Sequence, residues 1–172
     1  DTTLLGMCIE RAANIGYPVF LLTSDLSEDD LIAESGLRHG VDGIIRGSLD
    51  NVLSRYVALA EKTSSDYIVR VTADNPLTEY SFVGPLVQHI SQHNLSYALI
   101  DPSLCPEGTN VEVFSKQILF ESSKIDHSKE NLEHVTSYMS INLSSQQRLE
   151  EIAHRLFPFD CTQLTFTVDA LP

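Results

Sequence analysis

Short apolar runs that stop at turn residues alternate along this chain with amphipathic stretches of about ten to fifteen residues. That succession predicts βαβ units and a mainly parallel sheet covered by helices. Asp1-Thr2-Thr3 is a helix cap, followed by Leu4, Leu5, Cys8, Ile9 and Ala12 at helical spacing. Strands are predicted over 18–23, 41–45, 67–71 and 97–100. Between them, Ser27-Glu28-Asp29-Asp30 opens a helix that Gly40 stops, Asp50 to Lys62 forms a second with Asp50 as its cap, and a third runs from Phe82 through Ile90. Farther on, Asn110 to Phe114 alternates like a strand, with Asn110 and Glu112 on one face, and Ser115 caps a helix through Phe120. Residues 131–143 read as helix passing into strand with Glu133-His134 at its start, 144–156 as a charged helix, and Leu164 to Val168 as a β-run ending in Asp169.

The segment with most chemistry is Tyr67 to Tyr80. Ile68, Val69 and Val71 surround Arg70, and the run breaks at Thr72-Ala73-Asp74-Asn75-Pro76, since Pro76 turns Asn75 away from helix. An acid at the carboxyl end of a buried strand stands where open α/β sheets bind ligands. Asp169 ends a second apolar run in the same way. If the two runs are neighbours, their carboxylates repel unless a hard, oxygen-ligated cation joins them, with Mg²⁺ first. Turn capping explains each acid equally well. Arg70 either pairs with an acid in the sheet or reaches phosphate. Thr23 and Ser24 end a strand at the same predicted edge, where they touch a nucleotide or close a turn. A carboxylate at Glu112 on a half-buried strand calls for a partner or a substrate hydroxyl.

Composition narrows the partners. With 172 residues and 42% hydrophobic content the chain fills about one domain, 1–172. Eleven Lys and Arg against 24 Asp and Glu, a net charge of −13 without a basic cluster, speak against nucleic-acid binding. A nucleotide is still compatible, given a metal and a few placed cations. Cys8, Cys105 and Cys161 lie far apart with no C-x-x-C, which fits free thiols in a reducing, cytoplasmic setting. No apolar run is long enough for a membrane-spanning helix.

RGSLDNVLSRY (Arg46–Tyr56), VRVTADNPL (Val69–Leu77), EGTNVEVFS (Glu107–Ser115), EHVTSY (Glu133–Tyr138) and TFTVD (Thr165–Asp169) follow one another in this order. Together they resemble the cytidylyltransferase family that includes the spore-coat polysaccharide synthesis type and the CMP-sugar-acid synthetases. The resemblance implies a Rossmann-like, three-layer nucleotide-diphospho-sugar transferase fold, usually dimeric. It also implies transfer of CMP from CTP to a sugar acid with loss of pyrophosphate. On it Asp74 and Asp169 are the catalytic, Mg²⁺-binding acids. Arg46, Gly47 and Ser48, with Arg55, line the nucleotide end, and Asn110, Glu112 and His134 the sugar end. Members of the family open with a strand and a glycine- and arginine-bearing loop around the triphosphate, and continue past the T-V-D run. This chain starts in the following helix, so the expectation is a fragment, incomplete at both ends, that does not catalyse by itself. Two other readings are a glycosyltransferase that uses a nucleotide-sugar donor and a catalytically inactive binding module.

Overall fold

The computed structural model describes residues 3–143, 150–161 and 163–168. Among these described residues five strands and eight α-helices follow in chain order: α1 (Leu4–Ala13), β1 (Phe20–Ser24), α2 (Asp30–Arg38), β2 (Gly43–Gly47), α3 (Val52–Lys62), β3 (Tyr67–Arg70), α4 (Val83–Gln92), β4 (Tyr97–Leu99), β5 (Glu112–Ser115), α5 (Lys116–Ile125), α6 (Lys129–His134), α7 (Ser137–Leu143) and α8 (Glu150–Leu156). Among the described residues no helix is long and apolar enough to cross a membrane.

The strands form two sheets. β1 and β2 pair in parallel, Phe20 opposite Gly43 through Ser24 opposite Gly47. β5 lies between β3 and β4 and runs antiparallel to both, with Arg70 and Leu99 each opposite Glu112. β3 and β4 therefore share a direction, as a parallel sheet requires, and β5 is the strand that reverses. Its start differs from the sequence expectation as well. Asn110 lies outside the strand because its side-chain amide substitutes for a ladder rung: Oδ1 accepts from Ile100 N at 3.3 Å and Nδ2 donates to Ile100 O at 2.7 Å.

Alternation along these strands divides the core in two. Ala98, Ile100, Val111 and Val113 face Phe82, Val83, Leu86 and Ile90 of the α4 region, and Ala153 of α8 joins them. Ile68, Tyr97 and Phe114 face Leu53 and Ala60 of α3, Ile118 and Leu119 of α5, and Met139 of α7. The three-layer arrangement follows from this two-sided burial. All three cysteines are free and buried.

Local signals set the helix ends. Thr3 Oγ1 accepts from Gly6 N at 3.0 Å, and Ser115 Oγ accepts from Ile118 N at 3.2 Å. Asn51, not Asp50, caps α3: its Oδ1 accepts from Ser54 N at 2.9 Å, and Ser48 Oγ accepts from Asn51 N at 3.1 Å. The stretch 131–143 holds no strand. It belongs to α6 and α7, and Glu133-His134 ends α6 instead of opening an element. Val135 breaks the helix with φ +67° and ψ −47°, closing a three-residue turn in which Thr136 N donates to His134 O at 2.6 Å. The run 164–168 is likewise not a sheet strand. It makes one parallel bridge, Thr165 to Glu107, beside the bonds Glu107 N to Leu164 O (3.0 Å) and Phe166 N to Glu107 O (2.9 Å). Of the predicted helix 144–156, 150–156 is helical and 144–149 lies outside the described residues.

Candidate functional site

Asp74 stands in the turn that leaves β3. Asn75 N donates to Thr72 O at 3.3 Å, and the Asn75 amide nitrogen donates to Thr72 Oγ1 at 2.7 Å. Three neighbouring segments, α1 and the stretches around Thr109 and Val168, hold this turn and its continuation through four hydrogen bonds. Cys8 Sγ donates to Ala73 O (3.5 Å), Arg11 Nη2 to Thr78 O (2.8 Å), Glu79 N to Thr109 O (2.7 Å) and Val168 N to Asp74 O (2.9 Å). The backbone is fixed, yet Asp74 Oδ1 and Asn75 Oδ1 are buried with no hydrogen-bond partner among the described residues. An unsatisfied buried acceptor costs about 1–3 kcal/mol, more for a charged group. The Asp74 charge is felt nearby: burial first, and then this carboxylate, push the Cys8 thiol above its ordinary value. An orphaned carboxylate oxygen is the donor type a hard cation takes. The other predicted ligand, Asp169, lies outside the described residues, although Val168 just before it is the residue bonded to Asp74. Among the described residues no group of three or more His, Cys, Asp or Glu forms a metal cluster.

A second group gathers at the carboxyl ends of β1 and β2, the end of a parallel pair where ligands bind. It contains Thr23, Ser24, Arg46, Gly47, Ser48 and Arg55, all predicted for the nucleotide. Arg46 is engaged three times, donating to Ser24 O (2.9 Å), Asp30 Oδ1 (2.6 Å) and Leu26 O (2.7 Å). Thr23 Oγ1 donates to Asp29 Oδ2 at 3.4 Å, while Ser24 Oγ accepts from Leu26 N at 3.2 Å. Hydrogen bonds from Ser24 lead the causes that hold the Asp29 carboxyl below its usual range. Arg55 is different. It is only 9% exposed, its Nε has no partner, and a Cβ at Gly47 would stand 3.1 Å from its Cγ. Burial pulls the Arg55 guanidinium below its ordinary value, against the pull of Tyr56 and Asp29.

Arg70 and Glu112 meet across β3 and β5. Arg70 Nη1 donates to Glu112 Oε2 at 2.6 Å, and Tyr97 OH donates to Glu112 Oε1 at 2.7 Å, so both carboxylate oxygens are occupied. Burial drives Tyr97 well above the ordinary phenol value, and Glu112 adds to it. Burial opposes the Arg70 charge, but Tyr56 and Glu112 more than offset it and raise its pKa. Its Nε is nevertheless unpartnered. Tyr56 feels both Arg70 and Arg55, which links this group to the previous one.

Four buried side-chain atoms lack partners among the described residues: two arginine donors, Arg55 Nε and Arg70 Nε, and two oxygen acceptors, on Asp74 and Asn75. The donors suit an anion and the acceptors a cation. Three of the four residues are sequence candidates; the signal for Asn75 lay in the Asp74-Asn75-Pro76 turn, where it was read only as backbone. Two other candidates stand elsewhere. Asn110 spends its amide on Ile100, and His134 is exposed, 3.6 Å from Glu130 Oε1, with no bond to Asn110 or Glu112.

Gly108 was not singled out from the sequence, yet it holds the last described segment in place. Its φ is +84°, and an added Cβ would stand 3.0 Å from the backbone of both Phe166 and Thr167. Gly108→Ala is expected to displace 164–168 and cost about 1–3 kcal/mol. Hydrogen exchange should show Phe166 and Val168 deprotected ahead of the β3–β5 amides. Equal protection in variant and parent would show that the contact is dispensable.

Comparison with known proteins reports on sequence and fold. The family described as Cytidylyltransferase matches residues 1–153. An uncharacterized protein of Methanocaldococcus jannaschii is 32% identical over 144 residues, 83% of this chain and 58% of that protein. The spore coat polysaccharide biosynthesis protein SpsF of Bacillus subtilis is 29% identical over 120 residues, 69% of this chain and 49% of that one. The chain thus spans about half the length of the curated relatives it matches. In fold it is similar to a cytidylyltransferase from Leptospira borgpetersenii, with TM-score 0.82 at 24% identity over 99% of this chain and 71% of the other. It is also similar to a CMP:2-keto-3-deoxy-manno-octonic acid synthetase complexed with CTP, with TM-score 0.58 at 14% identity over 84% and 77%.

Proposed function

The chain belongs to the cytidylyltransferase family, and from that premise we propose that the polypeptide it forms part of transfers CMP from CTP to a sugar acid in polysaccharide synthesis. The observation that carries the reading is the set of unpartnered buried atoms on α3, at the end of β3 and in the turn after it, two cationic donors and two oxygen acceptors. Such a set suits a nucleotide polyphosphate with its metal. The neighbour that has CTP in its own structure and the relative named for spore coat polysaccharide biosynthesis support the choice of substrates.

In the proposed reaction a hydroxyl oxygen of the sugar acid bonds to the α-phosphorus of CTP. The bond from that phosphorus to the bridging oxygen of the β-phosphate breaks, pyrophosphate leaves with the electron pair, and the hydroxyl proton passes to solvent. Asp74 Oδ1, with Asp169, would hold Mg²⁺, which neutralises phosphate charge when bound. Arg55 and Arg70 keep their charges because Arg is not deprotonated in proteins, and each has a free Nε to offer an anion. Thr23, Ser24, Arg46, Gly47 and Ser48 shape the nucleotide end through the hydrogen bonds that fix it. Asn110 and Glu112 set the start of β5 toward the sugar; His134 joins that end only through a rearrangement of α6.

The test is pyrophosphate release from CTP and Mg²⁺ with a panel of sugar acids, on a polypeptide of the relatives' length and on the 172 residues alone. Release by the longer polypeptide that requires both CTP and one of the acids is the expected result. Release of a nucleoside mono- or diphosphate from a nucleotide-sugar, with no pyrophosphate, would replace the proposal by a glycosyltransferase. CTP binding that ignores the metal and leads to no turnover would replace it by a binding module.

A further inference from the structure

α4 closes on two histidines four residues apart, His89 in its last turn and His93 at its cap, and their ring centroids are 4.3 Å apart. Residues at i and i+4 of a helix share a face, and this is the spacing at which paired imidazoles on helices share a metal ion. A residue at a helix end holds such a spacing only if the end is fixed, and here it is. Leu95 N donates to Ile90 O at 2.9 Å and Asn94 N to Ser91 O at 3.3 Å, with Asn94 at φ +51°, so two bonds close the end of the helix. Ile90 is wholly buried and Leu95 packs on the same core, which anchors this closure to the apolar face of α4.

The ring of His93 is set as well. Its Nδ1 stands 3.0 Å from His89 O. A carbonyl oxygen only accepts, so Nδ1 carries the proton, and in the neutral ring the lone pair is on Nε2. A backbone carbonyl bonded to the other ring nitrogen is the support that metal-binding histidines usually have; it fixes the tautomer and the ring orientation before any ion arrives. Solvent reaches both rings, since His93 is exposed and His89 half-buried. The net charge of −13 draws cations to the surface of the chain.

The geometry points to a surface site at the end of α4 for one divalent transition-metal ion, held by the imidazoles of His89 and His93 with water in its remaining positions. Imidazole nitrogen suits Zn²⁺, Cu²⁺ and Ni²⁺, whereas Mg²⁺ and Ca²⁺ prefer oxygen. Ion type therefore separates this site from Asp74, whose orphaned oxygen suits a hard cation. Two protein ligands make an exchangeable site, since closed structural zinc sites take four. His134 stands beside Glu130 at the same i, i+4 spacing in α6 but offers one imidazole only, and serves as the internal comparison. The inference does not rest on the proposed transfer reaction, because the ion binds without CTP or Mg²⁺.

The test adds Zn²⁺ alone to a polypeptide of the relatives' length and follows the ring nitrogens of each histidine by NMR. The signals of His89 and His93 should move together and saturably, with His93 Nδ1 still protonated, while Mg²⁺ at the same concentration leaves both in place. His89→Gln and His93→Gln should each weaken Zn²⁺ binding at the remaining ring at least about tenfold, because a lone imidazole loses the effective concentration of its neighbour. His134 should respond only at Zn²⁺ concentrations at least about tenfold higher. If a variant does not fold, the titration of the parent decides alone. Rings that stay in place up to about 1 mM Zn²⁺ overturn the proposal. So does movement of one ring without the other, or equal affinity in parent and variants, which would leave the pair as a stack that closes the helix. Movement that grows with protein concentration at a fixed metal ratio overturns it too, and would assign the ion to a bridge between two copies of the chain.

Discussion

Asp74→Asn is expected to lower pyrophosphate release from CTP by about 10²-fold or more in the active polypeptide, with the Mg²⁺ requirement shifted to higher concentration. The substitution keeps the volume of the side chain and removes one charge. Because the Asp74 turn is held through main-chain oxygens of Ala73, Asp74 and Thr78, the variant should fold like the parent, with thermal unfolding little changed. The orphaned Oδ1 gives the direction of the stability change: a neutral amide in that place loses less on burial than a carboxylate does. A rate loss without a stability loss is therefore the signature of a ligand. Unchanged turnover and an unchanged Mg²⁺ titration would remove Asp74 from the site, and a large fall in stability would make it a structural turn residue.

Glu112→Ala is expected to produce the largest stability loss, about 3–5 kcal/mol, because it leaves the Arg70 charge buried without its partner. Both side chains are less than one-fifth exposed, 18% for Arg70 and 19% for Glu112, so solvent replaces little of what is lost. In a chain of this length each kcal/mol lowers Tm by roughly 2–4 °C, and the fall should exceed about 6 °C. Tyr97 loses its acceptor as well. Replacing both charges together, Arg70→Met with Glu112→Leu, should recover most of that loss, since an apolar pair of similar volume is often no less stable than a buried ion pair. A double variant as unstable as Glu112→Ala would mean that the pair has a worth beyond mutual neutralisation. Activity should not return with stability if the Arg70 Nε reaches phosphate, so the same variant separates the structural role of Arg70 from its proposed binding role.

The strands of this fold were legible where the sequence alternates and stops sharply. Phe20–Ser24, Gly43–Gly47 and Tyr67–Arg70 overlap the predicted runs 18–23, 41–45 and 67–71, the first two starting two residues later, because Ile, Val, Leu and Phe there are closed by Asp, Gly or Asn-Pro. Direction was not legible. Nothing in Glu112-Val-Phe-Ser115 says that it enters between β3 and β4 and runs against them; long-range pairing decides that. Residues 131–143 were misread for a related reason. Val and Thr at 135 and 136 suggest strand by propensity, but Val135 is wholly buried in the α3-side core and is held at positive φ by that packing. At the candidate site the sequence indicated the residue types and the order of the blocks, and the gathering of Thr23, Ser24, Arg46, Gly47, Ser48 and Arg55 at one strand end followed. It could not show that Arg46, Asn110 and Glu112 spend their polar atoms on the fold, since hydrogen-bond partners 10 to 42 residues apart leave no local pattern.

The insertion of β5 between its neighbours sets a delay during synthesis. Arg70 meets Glu112 42 residues later along the chain, so at ribosomal speeds β3 leaves the exit tunnel roughly two to eight seconds before its partner leaves it. Over that interval Tyr67, Ile68, Val69 and Val71 form a sticky nascent ribbon with neither edge satisfied. A slower codon stretch between positions 71 and 111 would lengthen the wait and raise the share of newly made chains lost to aggregation.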